Sequence, residues 1–411
     1  MKYAVALEGG GSKGAYHAGA LRALKELNIE IEAITGTSIG SINGAYYIQE
    51  GHVKLMEFWN NIKPEQLIPD HLESFKNTLV TWEVEDYRVL LKEIRMTIHE
   101  RGLDLSNYKR TLYDFIDEEK VRASDMDFGL VTYSLTDMKP VEVMIKDIPE
   151  GKLIEFLIAS SYLPGFKREK LSGKSFIDGA FHDNLPVNLL IDNGYKKIIA
   201  IELLGMGLRQ KVKDKTAEVI YIKPSDELGK VLDFRKDVNK SNILMGYYDT
   251  LRVFKYFYGN WYYLKDIWSP EEAFEFFDRL TKDEIDGLAE ILNIKRIPHK
   301  RCLFERIIPK LMELIDIPEV ADYNMVLLYI LEYVAKRLSI NRYQLITMEE
   351  LIMLITNHLL HFKNEHHDWN ETIIKLLKST GLYTQTFKDQ VIMGCVGLIM
   401  AGNKQGGRNG L

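Results

Sequence analysis

The chain of 411 residues has an ordinary globular composition, 46% hydrophobic and 27% charged, and is long enough for one large domain or two smaller ones. Its formal net charge of −6 argues against nucleic acid as a partner, because polyanion binding rests on many Lys and Arg contacts with phosphates. The only cysteines, Cys302 and Cys395, exclude a disulfide framework and a cysteine-rich zinc site.

No targeting or membrane-spanning segment is recognised. The apolar run at residues 3–7 is too short for the h-region of a signal peptide and ends at Glu8. The longest strongly apolar run, residues 391–401, is about half of the roughly 20 residues that a transmembrane helix needs. We therefore expect a cytoplasmic protein that is soluble or at most peripheral at a membrane.

A strand, a glycine-rich loop and a helix follow one another at the start of the chain. Residues 3–8 predict a buried strand, and residues 15–27 carry leucines at helical spacing. The sequence GGGSKG between them, residues 9–14, is called the glycine loop below. A second strand is predicted at residues 31–35, parallel to the first because a helix connects them. Both strands then end at the carboxyl edge of a sheet, where open α/β folds bind ligands.

The second strand ends in the pattern G-x-S-x-G, with Ser38 between Gly36 and Gly40. Where a strand turns sharply into a helix, the turn residue is exposed, and flanking glycines remove side chains that would collide. The helix predicted at residues 41–47 would present its N-terminus, which favours negative charge, to the serine oxygen. The pattern predicts a nucleophile elbow with Ser38 as the nucleophile.

The glycine loop fits two kinds of function. Its G-x-G-x-x-G spacing matches a dinucleotide-binding fingerprint, but the second strand ends without the acidic residue that binds the ribose. A phosphate-binding P-loop would need Lys13 after the last glycine instead of before it. The other function is an oxyanion hole made by the backbone N–H groups of Gly10, Gly11 and Ile39. A nucleotide-binding or non-catalytic protein stays the alternative to a hydrolase.

A helical insertion beside the active edge is predicted over residues 52–125. We interpret Trp59, Trp82 and Tyr87 as core residues and not as the lining of an acyl pocket. The predicted helical patches are residues 53–59, 82–100 and 108–118, and the strands that follow are predicted at 127–135, 141–146 and 173–177. Ser160 and Ser161 are interpreted only as the polar end of a helix.

Asp178 directly follows the last of these strands and precedes Gly179 and Ala180. An aspartate at a strand end often caps a turn. Near Ser38 the same carboxylate would be able to take the hydroxyl proton directly, as a general base without a histidine.

The three motifs, in this order and each at a strand end, resemble the patatin-like phospholipase family. The resemblance covers about residues 1–255 and includes ASSYLPGF at 159–166, NLP at 184–186 and IKPS at 222–225. It implies a three-layer α/β fold with a mainly parallel central sheet flanked by helices. It also implies a Ser/Asp dyad that hydrolyses lipid esters, with Ser38 as nucleophile and Asp178 as base. The other implied site residues are Gly9, Gly10, Gly11, Ser12, Lys13, Gly14 and Ile39 of the oxyanion hole, Gly36 and Gly40 of the elbow, and Gly179 and Ala180 after the base.

Two departures from the family pattern leave every catalytic atom in place. Glu8 precedes the glycine loop where Asp or Ser is more usual, and Ala180 stands where many members have a second glycine.

The remainder of the chain is predicted as an all-helical extension. We expect residues 1–260 to form the acyl hydrolase domain, residues 261–402 the extension and residues 403–411 a flexible tail. The extension either covers the sheet or forms a dimer surface, or it docks on lipid through residues 391–401 and the basic tail. Residues 209–215 form either a solvated connection or a contact with lipid phosphates.

An α/β-hydrolase with a Ser-Asp-His triad is the rival within the same chemistry. Its elbow normally follows several strands, whereas here it follows one crossover, and His182 lies too close in sequence to Asp178. A metal site lacks a carboxylate pattern around the C-terminal histidines His358, His361, His366 and His367. We expect no metal and no cofactor, a lipid or phospholipid substrate and peripheral membrane contact; the sequence leaves the oligomeric state open.

Overall fold

The computed structural model describes residues 2–63, 105–163, 166, 169–254, 256–295, 297–365 and 385–406. The chain separates into two compact units, Met1–Phe254 and Lys255–Leu411. The helical patch predicted at residues 82–100, including Trp82 and Tyr87, lies outside the described residues, as do His366 and His367.

The first unit alternates strands with helices. Its described strands are β1 (Lys2–Leu7), β2 (Glu30–Thr37), β3 (Asp127–Ser134), β4 (Lys139–Met144), β5 (Phe176–Asp178), β6 (Lys197–Ile201) and β7 (Glu218–Ile222). Its described α-helices are α1 (Ala15–Glu26), α2 (Ile39–Asn61), α3 (Ser106–Phe115), α4 (Glu118–Arg122), α5 (Leu153–Ser160), α6 (Val187–Asp192) and α7 (Lys236–Val253). Short 3-10 turns occupy Gly11–Gly14, Ile145–Asp147 and Gly179–Phe181.

The described strands form one seven-stranded sheet in the order β4-β3-β2-β1-β6-β7, with β5 also paired to β3. The pairs β1–β2, β1–β6, β2–β3 and β6–β7 are parallel, whereas β4 and β5 run antiparallel to β3. The mainly parallel sheet and the antiparallel pair predicted at residues 127–135 and 141–146 are therefore confirmed.

Helices cover both faces of the sheet. On one face, Ala4 and Ala6 of β1 share a buried cluster with Leu190 of α6. On the opposite face α2 approaches through Gly44, where a Cβ atom would lie 2.9 Å from Cγ2 of Ile34 in β2. Small residues at these contacts let the layers pack closely, and the three-layer α/β prediction is confirmed.

Helix α2 joins two predicted helices, residues 41–47 and 53–59. The chain continues through a kink at Gly51, where φ is 78° and ψ is 180°, a conformation that favours glycine. Near the end of α2, the Trp59 indole is fully buried and its Nε1 donates to Asn43 Oδ1 at 3.0 Å. Trp59 is thus a core residue, as interpreted from the sequence.

The second unit is helical apart from one small strand pair. Its described α-helices are α8 (Pro270–Asp278), α9 (Lys282–Ile291), α10 (His299–Cys302), α11 (Ile308–Ile315), α12 (Tyr323–Arg337), α13 (Met348–Glu365) and α14 (Gln385–Gly406), with a π-helical turn at Leu303–Ile307. The strands β8 (Tyr263–Leu264) and β9 (Leu345–Ile346) form a parallel two-residue pair, which the all-helical prediction did not include. Capping boxes begin α8 at Ser269 and α9 at Thr281.

The apolar run at residues 391–401 belongs to the core of the second unit. It lies in α14, and none of the residues Val391, Ile392, Cys395, Val396, Ile399 and Met400 exceeds 3% exposure. These side chains are buried within the unit, so they do not provide the lipid-docking face considered from the sequence. Within the described parts of the chain, every helix is too short or too polar to cross a membrane.

Candidate active site

Ser38 occupies the turn between β2 and α2 in a strained backbone conformation. Its φ is 54° and its ψ is −127°, outside the regions that residues other than glycine normally adopt. A Cβ atom at Gly36 would lie 2.3 Å from the carbonyl carbon of Gly40, and one at Gly40 would lie 2.3 Å from the oxygen of Leu7. The two glycines therefore allow the turn to close around Ser38.

Ser160, at the end of α5, holds this turn in place. Its Oγ accepts a hydrogen bond from the Ser38 amide at 3.0 Å and donates to the Val131 carbonyl at 2.7 Å. The turn is also closed by Ser41 Oγ, which donates to the Ser38 carbonyl at 2.7 Å. Ser160 is therefore a part of the elbow and not only a polar helix end. The sequence gives no local signal for this contact, because 122 positions separate the two serines.

Strand β3 brings Ser38 and Asp178 together. Thr37, the last residue of β2, pairs with Val131, and Asp178 pairs with the next residue of β3, Thr132. Since β4 occupies the other edge of β3, β5 lies just beyond the end of β2. Ser38, one position past Thr37, therefore lies next to Asp178, and its side chain lowers the pKa of the Asp178 carboxyl.

The residues around Asp178 fix its carboxylate. The Asp178 amide donates to the Tyr162 carbonyl at 2.9 Å, and the Ala180 amide donates to Asp178 Oδ1 at 2.8 Å. A Cβ atom at Gly179 would lie 2.2 Å from the oxygen of Val131 in β3. Glycine at this position therefore lets the chain turn directly against β3.

The glycine loop lies beside the serine. A Cβ atom at Gly9 would lie 3.1 Å from Ser38 Cβ, and Gly14 contacts the first turn of α2, where a Cβ atom would lie 2.7 Å from Ile39 Cγ1. Gly11 has φ of 58°, and a Cβ there would lie 2.2 Å from the Val231 oxygen. Position 11 therefore requires glycine for two reasons: its positive φ disfavours other residues, and a side chain would collide with the Val231 backbone.

The amides of the loop have different partners. Those of Gly9, Ser12 and Lys13 donate to the carbonyls of Asn184, Val231 and Gly10, respectively. In the described portion of the chain, the Gly10 and Gly11 amides have no acceptor. The Ile39 amide lies in the first turn of α2, where N–H groups have no partner within the helix. Three donors are therefore available near Ser38, one of them from the helix N-terminus.

The family model described as patatin-like phospholipase matches residues 5–191 of the chain. Over these residues the chain matches the patatin-like phospholipase family, and the match covers a little less than half of its 411 residues. The matched stretch contains the glycine loop, the elbow and the Asp178 motif, which are the three elements that the sheet brings together. Residues 5–191 are called the patatin-like domain below.

Two curated relatives are similar to the chain across this domain. One is the lysophospholipase NTE1 of Mycosarcoma maydis, 26% identical over 203 residues, or 49% of this chain and 10% of that protein. The other is the human patatin-like phospholipase domain-containing protein 6, also 26% identical over 203 residues, or 49% of this chain and 13% of that protein. The match thus spans a small part of the length of either relative.

Among solved structures, VipD from Legionella pneumophila is similar to the chain with a TM-score of 0.39 and 13% identity. The alignment covers 97% of this chain and 91% of that one. A similarity at this level bears on neither the fold nor the function of the patatin-like domain.

Burial raises the pKa of two aspartates of the patatin-like domain, Asp178 and Asp183. It raises the pKa of the Asp178 carboxyl to about 6, and the Ala180 amide, which donates to this carboxylate, and the nearby Ser38 side chain oppose the rise. Burial likewise raises the pKa of Asp183 to about 6, although the amides of Gln210 and Leu185 donate to its carboxylate. Two carboxylates near the site therefore change charge in the same pH range.

The structure gives other partners to the remaining candidate groups. His182 Nε2 lies 2.9 Å from Glu142 Oε1, so the partner of this imidazole is Glu142 and not Asp178. Arg209 and Lys213, from the loop considered as a contact for lipid phosphates, pair with acidic side chains instead. Within the described residues, no group of three or more His, Cys, Asp and Glu side chains is arranged to hold a metal ion.

Proposed function

We propose that the patatin-like domain is a serine acyl hydrolase that cleaves carboxylic esters of phospholipids or lysophospholipids. The observation that carries the proposal is the placement of Ser38, on its strained turn, next to the buried carboxylate of Asp178 by their neighbouring partners on β3. A carboxylate in this place serves as a general base without a histidine. The family and the names of the relatives support a lipid ester as the substrate.

In the proposed mechanism, Asp178 takes the hydroxyl proton while Ser38 Oγ attacks the ester carbonyl carbon. The carbonyl oxygen becomes an oxyanion that accepts hydrogen bonds from the amides of Gly10, Gly11 and Ile39. When the tetrahedral intermediate collapses, the alcohol leaves with the proton held by Asp178. Water, deprotonated by the same carboxylate, then attacks the acyl-enzyme and releases the fatty acid and free Ser38.

A lipid panel tests the proposed function. Purified full-length protein is incubated with phosphatidylcholine, lysophosphatidylcholine and triacylglycerol, and released fatty acid is quantified. We expect release from at least one of the two phospholipids at a rate that a fluorophosphonate abolishes. No release from any ester, together with tight binding of an adenine or nicotinamide nucleotide, would instead favour the nucleotide-binding alternative.

The pH dependence of turnover follows from the burial of Asp178. A general base acts only when deprotonated, and burial raises the pKa of this carboxyl to about 6. We expect kcat/KM for a soluble ester to rise with pH, with an inflection near this value, and to level off at higher pH.

The Asp183→Asn variant is the matched control, because Asp183 also titrates near pH 6. The inflection should persist in this variant, since Asp178 is unchanged. Its disappearance would show that the profile reports Asp183, and a profile flat from pH 5 to 8 in the wild type would contradict the proposed base.

A further inference from the structure

Residues 203–209, called the strap below, follow β6 and pass between the glycine loop and the Asp178 motif. On one side, a Cβ atom at Gly205 would lie 2.1 Å from the Gly9 oxygen. On the other side, the Leu208 amide donates to the Ala180 carbonyl at 2.8 Å. The strap therefore contacts both the segment that supplies oxyanion donors and the segment that supplies the base.

An ion pair connects the strap to the start of the glycine loop. The Glu8 side chain is completely buried, and its Oε1 accepts from Arg209 Nε at 3.0 Å and from Arg209 Nη2 at 2.7 Å. Its Oε2 accepts from the amide of Leu203, the first residue of the strap. Arg209 also contacts Glu202 through Nη1 at 2.9 Å. One guanidinium thus contacts two buried carboxylates, and Glu202 has a second cationic partner in Lys223 at 3.4 Å.

Asn184 extends this network to the backbone of the loop. Its Nδ2 donates to the Gly9 carbonyl at 3.1 Å and lies 3.2 Å from Glu8 Oε1. The Gly9 amide donates in return to the Asn184 carbonyl at 3.1 Å. Gly9 is therefore held through both its carbonyl and its amide, one residue before the first oxyanion donor, Gly10.

The ion pair between Arg209 and Glu8 is of a kind that holds two segments in one orientation. Arginine presents a planar fork of donors that matches a carboxylate, whereas lysine is a point charge on a flexible stem. Burial raises the pKa of Glu8, and the Arg209 charge is the main factor that opposes this rise. The Glu8 carboxylate therefore depends on Arg209 to stay charged and in place.

We propose that Arg209 and Glu8 are positioning residues that hold the glycine loop against the strap, so that the Gly10 and Gly11 amides face the oxyanion. The inference rests on the proposed function, because it assigns these residues to the proposed reaction. Neither side chain touches the substrate. Their effect is transmitted through Gly9 and Leu203, which lie next to the donors in the fold.

The proposal predicts a selective loss of kcat. Oxyanion contacts form only in the transition state, so their loss lowers kcat and kcat/KM together and leaves KM unchanged. Loss of one donor costs about 10²–10³-fold, and a displaced loop is expected to cost about 10–100-fold because the donors are retained but misplaced.

Two variants test the proposal by different routes. The double variant Glu8→Gln/Arg209→Met removes both charges of the pair. It leaves no unpaired carboxylate at position 8, and Glu202 keeps Lys223 as a partner at 3.4 Å, which reduces the folding defect expected of Arg209→Met alone. Gly205→Ala keeps every charge and pushes a methyl group against the Gly9 carbonyl. Rates on a soluble p-nitrophenyl ester are divided by the amount of Ser38 titrated with a fluorophosphonate, so that only folded sites are counted.

Each variant has a matched control. Lys213→Met breaks the ion pair with Asp192, close to the strap in sequence but without contact to the glycine loop. Gly397→Ala adds a methyl group at a helical glycine where nothing lies within 4 Å of the new Cβ. We expect both controls to keep wild-type kcat, whereas both test variants lose about 10–100-fold with KM unchanged.

The outcomes separate this inference from the proposed function. If the wild type hydrolyses esters through Ser38 and the two test variants keep kcat within about twofold, the positioning role is refuted alone. A kcat loss that disappears after division by titrated sites refutes it as well. If the wild type shows no Ser38-dependent hydrolysis, the proposed function fails and this inference fails with it.

Discussion

The Ser38→Ala protein should fold like the wild type and hydrolyse lipid esters about 10⁴–10⁶-fold more slowly. The hydroxyl is the proposed nucleophile, and its removal leaves only the oxyanion donors and substrate binding to assist attack by water. The change leaves the contacts of the turn intact, because Ser160 and Ser41 bond to the backbone of residue 38 and not to its side chain. Activity is therefore expected to fall without a loss of stability.

Active-site labelling measures the same change independently. A fluorophosphonate should modify the wild-type protein at Ser38, as shown by mass spectrometry of the labelled peptide, and should not modify Ser38→Ala. Ser124→Ala is a suitable control, since the hydrogen-bond partner of Ser124 Oγ among the described residues is the nearby Met126 amide at 3.1 Å. Unchanged labelling of Ser38→Ala would refute the assignment of the nucleophile.

Asp178→Asn is expected to lower kcat about 10²–10⁴-fold and, at the same time, to stabilise the protein at neutral pH. The amide still fits the site but cannot take the Ser38 proton. The folded pKa of about 6 lies above the ordinary value of 3.8, so the folded state disfavours the charged carboxylate. Keeping Asp178 charged at pH 7 therefore costs the fold up to about 3 kcal/mol, and asparagine removes that cost.

Thermal or denaturant unfolding at two pH values shows whether Asp178→Asn stabilises or destabilises the protein. The stabilising effect of Asp178→Asn should be full above pH 6, where the wild-type carboxylate is charged, and should vanish towards pH 4, where it is protonated. Ester hydrolysis by the variant is measured in the same preparation. Near-wild-type turnover would assign the base to another group, and a variant less stable than the wild type at pH 8 would contradict the burial argument.

The elements that carry the site were predictable because their signals are local. Strand β1, the glycine loop, α1, β2 and the elbow follow one another without interruption, and each is marked by apolar periodicity or by glycines at fixed offsets. Asp178 was recognised from a signal that is equally local, because it directly follows a predicted strand and precedes Gly179. The parallel pairing of β1 and β2 followed from the helical crossover between them, and the mainly parallel sheet as a whole was implied by the family resemblance.

The supporting contacts were not predictable, because they join distant parts of the chain. The elbow is held by Ser160, 122 positions from Ser38, and the glycine loop is held by Arg209, 201 positions from Glu8. Sequence patterns describe Ser160 as a polar helix end and Arg209 as a residue of a charged loop. Only the packing of α5 and of the strap against the sheet edge shows what these side chains contact.

The adjacent pairing of β2 and β5 on β3 has a consequence for how such a domain tolerates change. The spacing between the proposed nucleophile and base is set by two neighbouring positions, Val131 and Thr132, and not by the 140 positions that separate Ser38 from Asp178 in the sequence. Insertions in the connections before β3, or between β4 and β5, would lengthen loops at a small entropic cost and leave Ser38 next to Asp178. Homologues that differ greatly in the length of these connections are therefore compatible with one unchanged arrangement of these two residues.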